Sequence, residues 1–167
     1  MNHKSSAFQL KPSAKRFTIS VTARPNPDTG QKLRTPLDYC RGKETILVVD
    51  DEDSLRTVIV DLLSHLGYCT LSAANAPDAL KLAQEFPGKI DLLLTDVAMH
   101  PLTGPMLAEK LARSRPEMKV IYISGYANAS LAPDGVLKPG TVLVHKPFTM
   151  KLLSAKLREV LENPAPA

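Results

Sequence analysis

Ile90-Asp91-Leu92-Leu93-Leu94-Thr95-Asp96 is the stretch that decides the fold. Four of its residues are apolar, and Leu92, Leu93 and Leu94 are consecutive. A short unbroken apolar run bounded by Gly88 before and by His100, Pro101 and Gly104 after suits a strand covered on both faces. It ends in a carboxylate. In an open parallel sheet the carboxyl ends of the strands face the crevice where ligands bind, so Asp96 is placed for chemistry, and its carboxylate reads as a nucleophile that accepts a phosphoryl group.

Outward from this strand the same pattern recurs. Residues 45–49 form an apolar strand that ends at Asp50-Asp51-Glu52-Asp53. Leu55, Val58, Ile59, Leu62 and Leu66 then come at helical spacing, with Asp53 or Ser54 as cap and Gly67 as stop. Residues 69–73 give a second strand, and 76–86 a second helix with Pro77 in its first turn. Beyond Asp96, Thr103-Gly104-Pro105 opens a third helix, and residues 119–123 form a fourth strand ending at Ser124-Gly125. A fourth helix near 127–131 is weak, because Pro133, Gly135, Pro139 and Gly140 would break any continuation. Residues 141–144 form a fifth strand before His145-Lys146-Pro147-Phe148, and Thr149 caps a last helix. Five alternating strands and helices predict an α/β fold: a doubly wound, five-stranded parallel sheet of order 2-1-3-4-5.

The chain has 167 residues and a net charge of +4. Residues 1–43 hold nine Lys or Arg against Asp28 and Asp38, and the remainder holds twelve against fifteen Asp or Glu. A basic, Pro-containing tail or linker (1–43), with one short strand pattern at 17–21, therefore precedes a mildly acidic domain (44–163) and a short C-terminal tail (164–167). No apolar run is long enough to cross a bilayer, and no secretory pattern is visible. Cys40 and Cys69 have no metal-ligand spacing and read as reduced thiols, which fits a cytoplasmic protein. The tail lacks aromatic interleaving and a recognition helix, so neither nucleic-acid binding nor membrane insertion is expected.

In this topology the strand ends bring together Asp50, Asp51, Asp96, Ser124 and Lys146. Singly, each has a bland reading: a solvated helix start, a turn former, a surface loop. Jointly they form three carboxylates, a hydroxyl and an ammonium on one rim. Hard oxygen ligands with open positions suit Mg²⁺, and a cation among clustered carboxylates relieves their repulsion.

The stretches Ile46-Leu47-Val48-Val49-Asp50-Asp51-Glu52, Leu93-Leu94-Thr95-Asp96 with Met99 and Gly104, Ile123-Ser124-Gly125 and Lys146-Pro147-Phe148 resemble the receiver domain of two-component response regulators, over residues 45–162. The resemblance implies a flavodoxin-like receiver fold and a phosphorelay in which a sensor histidine kinase or phosphotransfer protein delivers phosphate to Asp96. It further implies that Asp51 and Asp96 bind Mg²⁺ directly, Asp50 through water, and Ala98 through its backbone carbonyl. Ser124 matches the switch hydroxyl and Lys146 the phosphate-binding lysine. The protein so read catalyses only its own phosphorylation and slow dephosphorylation, and signals to a downstream protein partner. It stands alone or forms the C-terminal receiver of a hybrid histidine kinase.

Three departures qualify that resemblance. His100 separates Met99 from Pro101; Leu143 stands where the family's switch aromatic falls; and the fourth helix is weak. Ala98 and Tyr126 flank the hydrolytic water of the family without a carboxamide or carboxylate, which implies slow decay of the phosphorylated state. Two other readings compete. A haloacid-dehalogenase-type phosphatase would use Asp51-Glu52-Asp53-Ser54, Ser124 and Lys146, but leaves Asp96 without a role. A receiver-fold binding module that needs no phosphorylation leaves the acidic set unexplained.

Overall fold

The computed structural model describes residues 44–125, 131–132, 135–136 and 141–163. In chain order these form β1 (Thr45–Val49), α1 (Asp53–His65), β2 (Cys69–Ala73), α2 (Ala76–Glu85), β3 (Leu92–Asp96), α3 (Gly104–Ala112), β4 (Lys119–Ser124), β5 (Leu131–Ala132), β6 (Gly135–Val136), β7 (Val142–His145) and α4 (Met150–Glu162). The main sheet has the order β2-β1-β3-β4-β7, and all four pairings are parallel. With β5 and β6 set aside, this is the 2-1-3-4-5 order expected from the alternation of strands and helices.

Both faces of the sheet are covered, which is why its central strands read as continuous apolar runs. Leu47, Val49, Leu71 and Leu93 pack under α2 and α3. Ile46, Val48, Leu92, Leu94, Ile121 and Ile123 pack under α1 and α4. Every residue of β3 is buried.

The helix faces differ in part from the spacing. In α1 the buried residues are Ile59, Val60 and Leu63, while Val58 is exposed and Leu55 and Leu62 are only partly buried. Apolar residues occur almost all round this helix, so several stripes fit its period equally well. Its N-cap is Glu52, and no side chain caps it. Gly67, with φ of 85°, reverses the chain after α1 in a conformation that suits glycine. Leu152 of α4 is exposed, while Leu153 and Leu157 face the sheet. Thr149 caps α4 as expected, accepting from the Leu152 amide at 3.2 Å.

Two helix ends are closed by distant cations. Neither α2 nor α4 has a basic residue in its last turn. The Arg115 guanidinium donates to the carbonyls of Ala83, Phe86 and Gly88 at 2.7–2.8 Å, at and just beyond the end of α2. Lys119 Nζ donates to the carbonyls of Leu161 at 2.8 Å and Asn163 at 2.5 Å at the end of α4. Both satisfy carbonyls that a helix leaves unpaired.

Leu131–Ala132 pairs antiparallel with Gly135–Val136 between β4 and β7. The weak fourth helix expected near 127–131 falls almost wholly outside the described residues. Residues 126–130 lie outside the described residues, as does the strand pattern at 17–21; Tyr126 is among them. Cys69 is disulfide-bonded rather than a reduced thiol. Spacing alone cannot tell these states apart, because pairing depends on distances between Cα atoms, not on positions in the chain. Among the described residues no helix is long and apolar enough to cross a membrane.

Candidate functional site

The C-terminal ends of β1, β3, β4 and β7 lie on one rim, set by register. Val49 pairs with Thr95, Asp96 with Ile123, and Ser124 with His145. Asp50 therefore lies level with Asp96, Ser124 one residue further along, and Lys146 one residue beyond that. Asp50 and Asp51 come directly after β1, Asp96 closes β3, Ser124 closes β4 and Lys146 comes directly after β7. The Lys146 amide donates to the Ser124 carbonyl at 2.7 Å, which extends the β4–β7 ladder to the lysine itself.

One carboxylate oxygen from each of Asp50, Asp51 and Asp96 lies within 4.8 Å of the others. Asp50 and Asp96 are buried, and Asp51 is exposed. Lys146 Nζ reaches Asp96 Oδ2 at 2.8 Å and Asp50 Oδ2 at 3.2 Å. The remaining oxygens of these two buried carboxylates are held by backbone. Ala98 N donates to Asp96 Oδ1 at 3.1 Å, and Glu52 N donates to Asp50 Oδ1 at 2.9 Å.

The electrostatics derive from this packing. Burial pushes the Asp50 carboxyl above its ordinary value, and the adjacent Asp96 charge adds to that, against the Glu52 amide and the Lys146 ammonium. Burial pulls Lys146 down, but its bonds to Asp96 and its attraction to Asp50 outweigh this, so the ammonium is held above its ordinary value. The site thus keeps its cation while one carboxylate resists ionisation. Three oxygen donors around one point, with an exposed carboxylate on the open side, fit a small hard cation such as Mg²⁺.

The neighbouring elements keep the backbone close. Gly104, the first residue of α3, packs directly on Asp96. A Cβ at that position would lie 2.2 Å from the Asp96 carbonyl oxygen. The Gly104 amide donates to the Val97 carbonyl at 3.0 Å. Glycine is needed here for the close approach.

Of the residues expected at the site, four come together. Asp50, Asp51, Asp96 and Lys146 form one cluster; Ser124 is buried on the adjoining strand, and Ala98 meets Asp96 through its amide. Asp53, which the phosphatase reading requires, is outside the carboxylate cluster; its side chain is 85% exposed and paired with Arg56. Sequence reasoning missed two residues. Arg56 Nη1 donates to the Asp50 carbonyl at 2.5 Å, and buried Tyr122 pairs in register with Leu143 on the neighbouring strand. An arginine three residues after Asp53 looks like an ordinary helix-surface pair, and a strand tyrosine looks like core.

Comparison with known proteins agrees with this geometry. The response regulator receiver domain family matches residues 46–158. The chain is 35% identical over 122 residues to sensor kinase CckA of Brucella abortus, covering 73% of this chain and only 13% of that protein. It is 30% identical over 116 residues to the response regulator receiver protein CpdR of the same organism, covering 70% of this chain and 95% of CpdR. Among solved structures, the receiver domain of the hybrid histidine kinase CckA is 36% identical, with a TM-score of 0.60, covering 70% of this chain and 98% of that one. A response regulator receiver protein from Sinorhizobium medicae is 28% identical, with a TM-score of 0.63, over 72% and 96% of the two chains. A parallel sheet that gathers three aspartates and a lysine on one rim, matched by the family over most of its length, makes this chain a member of the response regulator receiver domain family of two-component signalling.

Proposed function

We propose that the receiver, residues 44–163, takes a phosphoryl group onto Asp96 from the histidine of a sensor kinase or phosphotransfer protein, with Mg²⁺ bound, and passes the change to a downstream protein. The observation that carries this is the meeting of Lys146 Nζ with Asp96 Oδ2 at 2.8 Å inside the three-carboxylate cluster. In the transfer an Asp96 oxygen bonds to phosphorus as the phosphorus–nitrogen bond to the donor imidazole breaks. The imidazole keeps the electron pair and takes up a proton. Lys146 shifts from the carboxylate to an oxygen of the incoming group, as a point charge. Ser124 donates to another such oxygen, a contact that exists only in the phosphorylated state and can therefore bias a loop. Asp50, Asp51 and Asp96 would hold Mg²⁺, with the Ala98 carbonyl as a further ligand. The ion supplies charge neutralisation on the transferred group.

The similarity to histidine kinases supports a kinase or phosphotransfer partner, and residues 1–43 and 164–167 then flank the receiver. We place the reaction in the cytoplasm, where such kinases expose their phosphohistidine. Mass spectrometry of the protein treated with acetyl phosphate and Mg²⁺ tests the reading. The expected result is one phosphoryl adduct mapped to Asp96 and absent from Asp96→Asn. An unmodified protein would favour a binding module that needs no phosphorylation.

A further inference from the structure

Four successive acids, Asp50 to Asp53, form the turn between β1 and α1, and like charges so close favour an open turn. One residue opposes this. Arg56 touches the turn at three places: its amide donates to the Glu52 carbonyl at 2.9 Å, Nη1 to the Asp50 carbonyl at 2.5 Å, and Nη2 to the Asp53 carboxylate. Its side chain is only 15% exposed, although α1 begins at the surface. The guanidinium bonds no carboxylate of the Asp50, Asp51 and Asp96 cluster; it holds the backbone beneath them. A planar fork can bridge a carbonyl and a carboxylate at once; an ammonium is a single point charge.

We propose that Arg56 is a positioning residue for the divalent cation. It fixes the turn so that Asp50 and Asp51 present their oxygens towards Asp96, and it does so without itself bonding those oxygens. This rests on the reading of the site as a Mg²⁺ site. The effect is on metal affinity more than on chemistry at saturating metal, because the reacting oxygen belongs to Asp96 on a different strand.

Isothermal titration of the full chain with Mg²⁺, paired with thermal unfolding in its absence, tests the assignment. Arg56→Ala is expected to weaken Mg²⁺ binding about tenfold, the loss expected when one supporting contact behind a metal ligand is removed. Arg56→Lys keeps the charge without the fork and is expected to fall between Arg56→Ala and the parent. Acetyl-phosphate labelling of both variants should recover at saturating Mg²⁺. Equal Mg²⁺ affinity in Arg56→Lys and the parent, or an Arg56→Ala that loses only thermal stability, would overturn the assignment. If Arg56→Ala does not fold, the Arg56→Lys comparison decides alone. Loss of Mg²⁺ binding by the parent itself would instead overturn the metal reading of the site.

Discussion

Asp50 carries a conflict between binding and stability. Its carboxyl is raised by burial, so the native state holds the proton more firmly than the unfolded chain does. The cost of the charge is absent below the ordinary carboxylate value and develops as pH rises through the raised native one. Asp50→Asn removes that cost and keeps an oxygen for the Glu52 amide. In metal-free protein the variant is expected to melt higher than the parent at neutral pH, with the difference shrinking as pH falls towards the ordinary carboxylate range. Its Mg²⁺ affinity should drop, since a charged donor is lost. A scan of melting temperature against pH for both proteins checks the sign. Gly104 makes a second case at this scale. In Gly104→Ala the added methyl meets the Asp96 carbonyl at a distance no packed structure allows, so α3 must move. A loss of about 1–3 kcal/mol, the usual range for overpacking, is expected in denaturant unfolding, together with slower labelling of Asp96.

At the level of elements, β3 and its neighbours were readable because burial on both faces removes alternation and leaves bare apolar runs. The rim residues were readable because every strand of the rim ends in, or is followed directly by, a polar side chain. The inward face of α1 was not readable: Val58, Ile59, Val60, Leu62 and Leu63 give the helix several equally good stripes, and packing against β1, in the cluster that holds Ile46 and Val48, selects one. Arg56 escaped because its partner is a backbone carbonyl, which has no sequence signature. The hairpin of β5 and β6 escaped because two-residue strands leave no period. Arg115 was invisible for the same reason as Arg56. It closes the end of α2 from 27 to 32 residues away, through three carbonyls. Arg115→Ala is expected to cost about 2–3 kcal/mol, since charged bonds to part-buried carbonyls are lost together. Hydrogen exchange should then rise first in the last turn of α2 and in residues 86–88.

For the whole molecule, the proposed Mg²⁺ site would link metal binding to folding. The cluster is assembled from the ends of β1, β3 and β7, so the unfolded chain has no such site and Mg²⁺ should stabilise only the folded form. At a concentration one hundredfold above the dissociation constant the stabilisation is about 2.7 kcal/mol. The parent should therefore melt at a higher temperature as Mg²⁺ is added, while Asp51→Asn should show a much smaller rise. Lys146 bears on the alkaline side. Its raised native value means that its contribution is complete below the ordinary lysine value and fades only as pH climbs through the native one. Across neutral pH that contribution is constant, so pH changes there act through other groups.

Lys119 begins β4 and ties the last turn of α4 to the strand's starting end, on the same level as Leu92 and Ile46. Glu44, just before β1, meets Cys69 at that level too. Residues 44–163 thus begin and end on the side of the sheet away from the carboxylate cluster. A partner that grips the sheet from the side of Glu44 and Asn163 would therefore leave the acidic crevice open to a second partner.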